Sequence, residues 1–410
     1  MQTRTKRLKV LLSAYACEPN RGSEPGVGWE WASRMPEFHE LTVLTRSNNR
    51  TVIEAAYGGD QPTGRARFLY LDLHPWIQKL KKRRLFPIFL YYLIWQLAAA
   101  RWIKSQTADY DIIHHVTFNG FRFPGAWWSH DATVILGPLG GGSIAAPQYR
   151  RCYGVRWITE KIRELSIRFW RLNPWTMASL RNARMVLVVG EDLQRRFRSS
   201  GIQAEMMLET ALPRAMEEDI TTIDPKDRRD FIWVGNLEPW KAWQIALQAF
   251  ARAVSNGVGS SKLRIVGKGD QAAEAVRTAE RLGISERVEF MEQLPRHEVW
   301  RLMATSRALV FSSVRDTSGN VVLEAMGLCC PIICFKHQGV AMMTDDLCAF
   351  RVDPGTWNDS VQGFADAMVS LANNDKLVED MGNAGRSRAL REFTWNAKVG
   401  EMLEIYSSVS

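Results

Sequence analysis

Short runs rich in Val, Ile, Leu and aromatic residues alternate along the chain with longer stretches whose apolar residues recur every three to four positions. The first kind reads as buried strands and the second as amphipathic helices. Their regular alternation is the signature of parallel α/β units. The strand candidates of the first half are residues 8–15, 41–47, 67–73, 111–117, 133–137, 185–190 and 204–208. A polar stretch, 209–229, carries Pro213 and Pro225, has no periodicity and reads as a linker. The pattern then restarts with a strand at 231–237, a helix at 240–254, and strands at 263–267, 287–291, 308–312 and 331–335. Residues 360–406 read as mostly helical.

The expected class is therefore α/β, with two doubly wound domains at residues 1–212 and 230–392 and a C-terminal helix at 393–410. A chain of 410 residues suits two domains. Such sheets bind ligands beyond the carboxyl ends of their strands.

Composition narrows the class. Hydrophobic residues at 46% and charged residues at 24% exclude a disordered chain. The basic start runs straight into Val10–Tyr15, which is too short for a signal-peptide core and reads as a strand. The most apolar run, Leu85–Ala100, contains Pro87 and Gln96 and falls short of the roughly 20 residues of a spanning helix. The six cysteines show neither metal-ligand spacing nor disulfide density, which fits a reducing cytoplasm. The net charge of +9 is uneven: residues 1–220 hold 31 Lys and Arg against 20 Asp and Glu, and the remainder holds 22 against 24. A surface that basic suits nucleic acid, anionic lipid or a phosphorylated substrate.

The most informative stretch is Asp316–Met326, directly after the strand 307–313. Small polar residues and glycine at the strand-to-helix turn leave the backbone N–H groups of Ser318, Gly319, Asn320 and Val321 facing the strand ends, which suits a phosphate. Asp316 lies in the loop and Glu324 about one turn into the helix. Carboxylates beside an anion site make sense as acceptors for sugar hydroxyls on either side of a diphosphate.

This stretch resembles the paired acids, with seven residues between them, of the family 4 retaining glycosyltransferases with the GT-B fold, of the bacterial exopolysaccharide and lipopolysaccharide type. That resemblance implies two Rossmann-like domains facing across a cleft, with the C-terminal helix packing back on the first. It gives Asp316 the transferred sugar and Glu324 the nucleotide ribose. The family usually has Glu at the first place. Gly235–Ala242 resembles the turn that opens the nucleotide-binding domain, where Lys241 matches a Lys that neutralises the diphosphate of the leaving UDP or GDP. Asn236 stands where the family has Arg, so Arg315 and Lys268 are the candidates for a second cation. Leu263–Gly269, with Gly267, resembles the following strand and glycine turn. Arg287–Leu294 resembles the segment whose backbone at Met291 and Leu294 reads the base, with Gln293 in place of the usual Gly.

In the first half, the glycine-rich turn Glu18–Gly28 follows the first strand. It resembles the family's glycine loop, which places Gly22 and Ser23 near the donor phosphate and the acceptor. Its spacing is not that of a dinucleotide fingerprint. His114 and His115 end the strand 111–117. Side chains alternate along a strand, so only one can face the cleft. His115 lies nearer the strand end and His114 is the alternative; the family often has a His here that contacts the sugar. Gly137–Ser143, following the strand 133–137, resembles one subgroup of the family and is expected to shape the acceptor side.

Two basic and aromatic stretches, Lys79–Arg84 and Arg150–Trp175, suit an anionic membrane surface. Trp76, Trp95, Trp102, Trp157, Trp170 and Trp175 are the rings expected at such an interface. No nucleic-acid recognition motif accompanies the charge. The expectation is a cytoplasmic enzyme, peripheral on the inner face of the cell membrane. Its partners would be a nucleotide-sugar donor and a lipid-linked glycan acceptor, with no cofactor and no metal. The competing readings are a nucleotide-sugar epimerase of the same fold, and a non-catalytic membrane or nucleic-acid binding protein.

Overall fold

The computed structural model describes residues 7–57, 65–82, 88–118, 120–217 and 228–410. The chain divides into two compact units. The first comprises Met1–Gly142, Ser166–Thr210 and Val399–Ser410, and the second Ser143–Leu165 and Ala211–Lys398.

The first unit holds β1 (Lys9–Ser13), β2 (Glu40–Thr45), β3 (Arg67–Tyr70), β4 (Ile112–His115), β5 (Thr133–Leu139), β6 (Met185–Val188) and β7 (Glu205–Met206). They form one sheet in the order β3-β2-β1-β4-β5-β6-β7, parallel throughout. In β1, Val10, Leu11 and Leu12 are all buried because helices cover both faces of a parallel sheet, which explains the unbroken apolar run. Gly137 and Pro138 do not follow the strand. They lie inside β5, whose pairing with β6 shifts register between Leu136 and Leu139.

The second unit holds β8 (Asp230–Val234), β9 (Leu263–Val266), β10 (Val288–Met291), β11 (Ser306–Phe311), β12 (Ile332–Phe335) and β13 (Ala349–Val352), in the order β10-β9-β8-β11-β12-β13, again parallel. Sequence reading misses β13, a four-residue edge strand with Arg351 in its middle and only its first residue buried. In both sheets the order reverses between two central strands, β1 and β4 in the first and β8 and β11 in the second.

The division differs from the expected one in one stretch. Residues 143–165 belong to the second unit, because Ala145, Tyr149, Cys152, Tyr153 and Trp157 join its core. The Tyr149 hydroxyl lies 3.0 Å from Ser360 Oγ, and Arg156 pairs with Glu238 at 3.1 Å and Asp270 at 2.6 Å. The C-terminal helix, Trp395–Val409, joins the first unit from Val399 onward, where Tyr406 is fully buried. Most of the expected linker, residues 218–227, lies outside the described residues. Its flanks are held within the second unit: the Leu212 amide donates to Phe393 O at 2.7 Å, and buried Arg228 donates to the carbonyls of Cys329 and Leu328.

Three of the six tryptophans expected at an interface are core residues. Trp95, Trp157 and Trp170 are buried, and only Trp76 is exposed; Trp102 and Trp175 are half-buried. Of the Lys79–Arg84 segment, Lys79 is exposed, whereas Arg83 and Arg84 and the side chains of Lys81 and Lys82 lie outside the described residues.

Candidate functional site

In the second unit, β8 and β11 flank the reversal of strand order, the place where open parallel sheets bind ligands. Lys241 lies in the loop leaving β8, on a single 3-10 turn at Pro239–Lys241, and Asp316 lies in the loop leaving β11. Backbone and side-chain bonds tie the two loops together. Ser312 Oγ donates to Lys241 O at 2.9 Å and accepts from Trp233 Nε1 at 3.1 Å, and the Val314 amide donates to Trp240 O at 2.9 Å. Across this join Lys241 Nζ donates to Asp316 Oδ2. The ammonium also lies 5.4 Å from the centre of the Phe311 ring. Asp316 is held from its other side: its amide donates to Gln338 Oε1 at 2.6 Å, and its Oδ1 accepts from the Thr317 amide at 2.9 Å. Both side chains keep some exposure, 19% for Lys241 and 25% for Asp316, so the pair can be reached by solvent.

Gly319 then opens the helix Asn320–Gly327 in the left-handed region, at φ 67°. A Cβ there would also lie 2.7 Å from the Phe311 ring, so glycine is required twice over. The first amides of the helix, at Asn320 and Val321, are donors without helical acceptors. Ser318 is buried beneath the turn. Glu324 sits on the inner side of the helix with its side chain 11% exposed, and Arg296 donates to its Oε1 from Nε at 3.1 Å and from a terminal nitrogen at 2.6 Å. The same guanidinium stacks over Trp300 at 4.8 Å.

The loops after β8 and β9 pack backbone against backbone. A Cβ on Gly267 would meet Gly235 O at 1.9 Å, which only glycine avoids. The Gly267 amide donates to Met291 O at 3.0 Å, so that carbonyl is engaged within the sheet. Asn236 is exposed at the tip of the first loop, and Leu294 is half-buried beyond β10. Arg315 stacks over Trp240 at 5.1 Å and lies 3.5 Å from the buried carboxylate of Glu160, which Arg163 also grips at 2.6–3.2 Å. Lys268 is exposed.

In the first unit the histidine expectation fails for both residues. His114 and His115 are fully buried. His114 bonds Tyr406 OH at 2.8 Å through Nδ1 and Gly137 O at 2.9 Å through Nε2. His115 bonds Ser13 Oγ at 3.0 Å through Nδ1 and Tyr92 OH at 2.9 Å through Nε2. Burial lowers His114 to about 4, against a smaller raising effect of the Gly137 carbonyl. Burial and the neighbouring His114 lower His115 to about 3. With every ring nitrogen engaged, both are structural. Alternation fails to separate them because the sheet is buried on both faces.

Gly22 and Ser23 are exposed at the start of the helix Ser23–Arg34, with Ser23 at φ 58°. Glu24 turns inward and accepts from the Phe118 amide, joining the loops after β1 and β4. A cavity of about 860 Å³ in this unit, lined by Arg171, Met177, Arg181 and Ser200 among others, contains none of the expected site residues.

Arg296 and Gln338 are the site residues that sequence reading misses. Each opens a helix, Arg296–Ala304 and Gln338–Met343, and only the fold brings them to the acids. No cluster of three or more metal-ligating side chains occurs among the described residues.

Residues 217–388, which span this site, match the family model described as Glycosyl transferases group 1. The chain is 24% identical over 181 residues to the D-inositol 3-phosphate glycosyltransferase of Corynebacterium glutamicum (strain R), covering 43% of this chain and 42% of the relative. It is 26% identical over 208 residues to the N-acetylgalactosamine-N,N'-diacetylbacillosaminyl-diphospho-undecaprenol 4-alpha-N-acetylgalactosaminyltransferase of Campylobacter jejuni (subsp. jejuni serotype O:2), covering 48% and 52%. The chain thus spans about half the length of the curated relatives it matches. Among solved structures, Anabaena HepE in complex with UDP and glucose superposes with a TM-score of 0.63 at 14% identity, over 98% of this chain and all of that one. The fold is that of the GT-B glycosyltransferases.

Proposed function

We propose that the protein is a retaining glycosyltransferase of family 4 that takes a sugar from a nucleotide diphosphate donor. The observation that carries this reading is the pairing of Lys241 with Asp316 at the carboxyl ends of β8 and β11, beside the start of the helix that presents Glu324. In this reading the Lys241 ammonium and the Asn320 and Val321 amides stabilise the charge that develops on the diphosphate as its bond to the anomeric carbon breaks. Asp316 holds hydroxyls of the transferred sugar, and Glu324 those of the ribose. The new bond joins the anomeric carbon to an acceptor oxygen, whose proton leaves to the departing phosphate or to solvent. Arg315, stacked on Trp240 and held by Glu160, is the nearby cation that answers the absence of Arg at position 236.

The acceptor is a lipid-linked glycan in cell-surface polysaccharide synthesis, and the protein works peripherally on the inner face of the cell membrane. The Campylobacter relative supports this, since its name states a diphospho-undecaprenol acceptor; the Corynebacterium relative is named for an inositol phosphate. The excess of basic residues before residue 220 supports a surface that meets anionic lipid. No helix among the described residues is long and apolar enough to cross a membrane.

The test is incubation with a panel of UDP- and GDP-sugars. Slow release of free sugar and nucleotide diphosphate is expected for one of them. Conversion to an epimeric nucleotide sugar, or no turnover with any donor, would overturn the reading.

A further inference from the structure

The helix Trp157–Arg168 has two unlike faces. Its inner face carries Trp157, buried in the core of the second unit, and Glu160 and Glu164, whose side chains are 6% and 7% exposed. Both glutamates are neutralised, Glu160 by Arg163 and Arg315, and Glu164 by Lys161 at 2.6 Å. The outer face carries Ile158, Ile162 and Leu165, at 69%, 62% and 53% exposure, and the turn before it adds Val155 at 88%. These four share one side at helical spacing, and the exposed positions between them are Arg156, Thr159 and, at the border, Lys161, with no acid. Four large aliphatic side chains left in water on one helix are far from the scattered single exposures of an ordinary surface.

We propose that this face, Val155, Ile158, Ile162 and Leu165, docks on an anionic lipid bilayer, lying in the headgroup plane with its aliphatic side chains at the acyl boundary. The proposal rests on the membrane part of the function proposed above and, of the two basic stretches, places the contact on the helix in the second. Charge complementarity selects the occupant. The acids of the helix turn inward, and Arg150 and Arg151 are exposed just upstream. Downstream, residues 165–190 contain four arginines and no Asp or Glu. An amphipathic helix of this kind binds through apolar insertion combined with attraction to anionic headgroups. A second copy of the chain would set the exposed Arg150 and Arg151 against themselves, which like charge opposes. A nucleic-acid backbone would satisfy the cations but offers nothing for Val155, Ile158 and Ile162 to enter.

The experiment is co-sedimentation of the full chain with vesicles of phosphatidylcholine alone and of phosphatidylcholine mixed with phosphatidylglycerol, at low and high salt. The parent is expected to bind the mixed vesicles, and to bind them less at high salt. The double variant Ile158→Ser, Ile162→Ser removes only exposed side chains, so its fold is expected to survive, as circular dichroism would report. Its vesicle affinity should fall by at least tenfold while slow donor hydrolysis continues at the parent's rate. If parent and double variant bind equally well, the docking face is wrong and the membrane reading stands. If the parent binds no anionic vesicle, both fall. Tighter binding to a labelled duplex than to vesicles, or a dimer in solution that the double variant abolishes, would also overturn the proposal. Loss of donor hydrolysis in every preparation, with vesicle binding intact, would instead sink the glycosyltransferase reading alone.

Discussion

Arg296 grips Glu324 by two N–H bonds to a single carboxylate oxygen while the face of its guanidinium lies on Trp300. The second oxygen is thereby left to other donors, and the carboxylate is fixed in one orientation. If Glu324 receives ribose hydroxyls, Arg296 is its positioning residue. Arg296→Ala is expected to weaken UDP or GDP binding about tenfold to a hundredfold, the scale of a lost hydrogen bond to a charged group. Lysine at the same place should restore only part, because it cannot keep both bonds. Calorimetric titration with each nucleotide checks this, and unchanged binding in Arg296→Ala would count against it.

Glu324→Ala should nearly abolish turnover while the fold survives. Its side chain bonds Arg296 and belongs to no apolar cluster, so the loss concerns binding more than packing. Full turnover at saturating donor, with the parent's donor affinity, would sink the assignment.

Lys241→Ala should lower the turnover rate by about two to three orders of magnitude, the usual scale for removing one donor aimed at developing charge. Asp316→Asn keeps the loop's shape through its bond from the Thr317 amide but weakens the hold on Lys241. It is therefore expected to lower turnover with little change in melting temperature. A loss below tenfold in Lys241→Ala would transfer the neutralising role to Arg315.

The buried histidines predict a pH dependence of stability, not of catalysis. Folding lowers His114 to about 4 and His115 to about 3, below the ordinary value of 6.5. As pH falls below 6.5 the unfolded chain takes up protons that the folded chain refuses, so stability is lost progressively down toward the folded values. The melting temperature should drop between pH 7 and pH 5, and the drop should be shallower in His114→Gln, which has no proton to gain. A parallel decline in parent and variant would refute it.

Twelve of the thirteen strands were legible because most are short apolar runs separated by amphipathic helices. The strand that escaped is the edge strand β13, four residues long with Arg351 among them. The second unit's site was legible where local sequence makes the geometry, as at the glycine turn of 316–324. Arg296 and Gln338 were illegible because they reach Glu324 and Asp316 from helix starts 28 and 22 residues away. The histidines misled because two adjacent polar residues at a strand end suggest an open edge, whereas Tyr92, Ser13, Tyr406 and Gly137 close around them.

The assignment of residues 143–165 to the second unit means that the polypeptide passes from one unit to the other four times, after Gly142, Leu165, Thr210 and Lys398. A chimera that grafts a different second unit at residue 211 alone would strand Tyr149, Tyr153 and Trp157 without the core they complete. It would also leave Glu160 without Arg315. Recombination between related chains is therefore constrained to exchange two separate stretches of gene together. Single crossovers near the middle of the chain should yield insoluble hybrids, whereas paired exchange of 143–165 with 211–398 should yield folded ones.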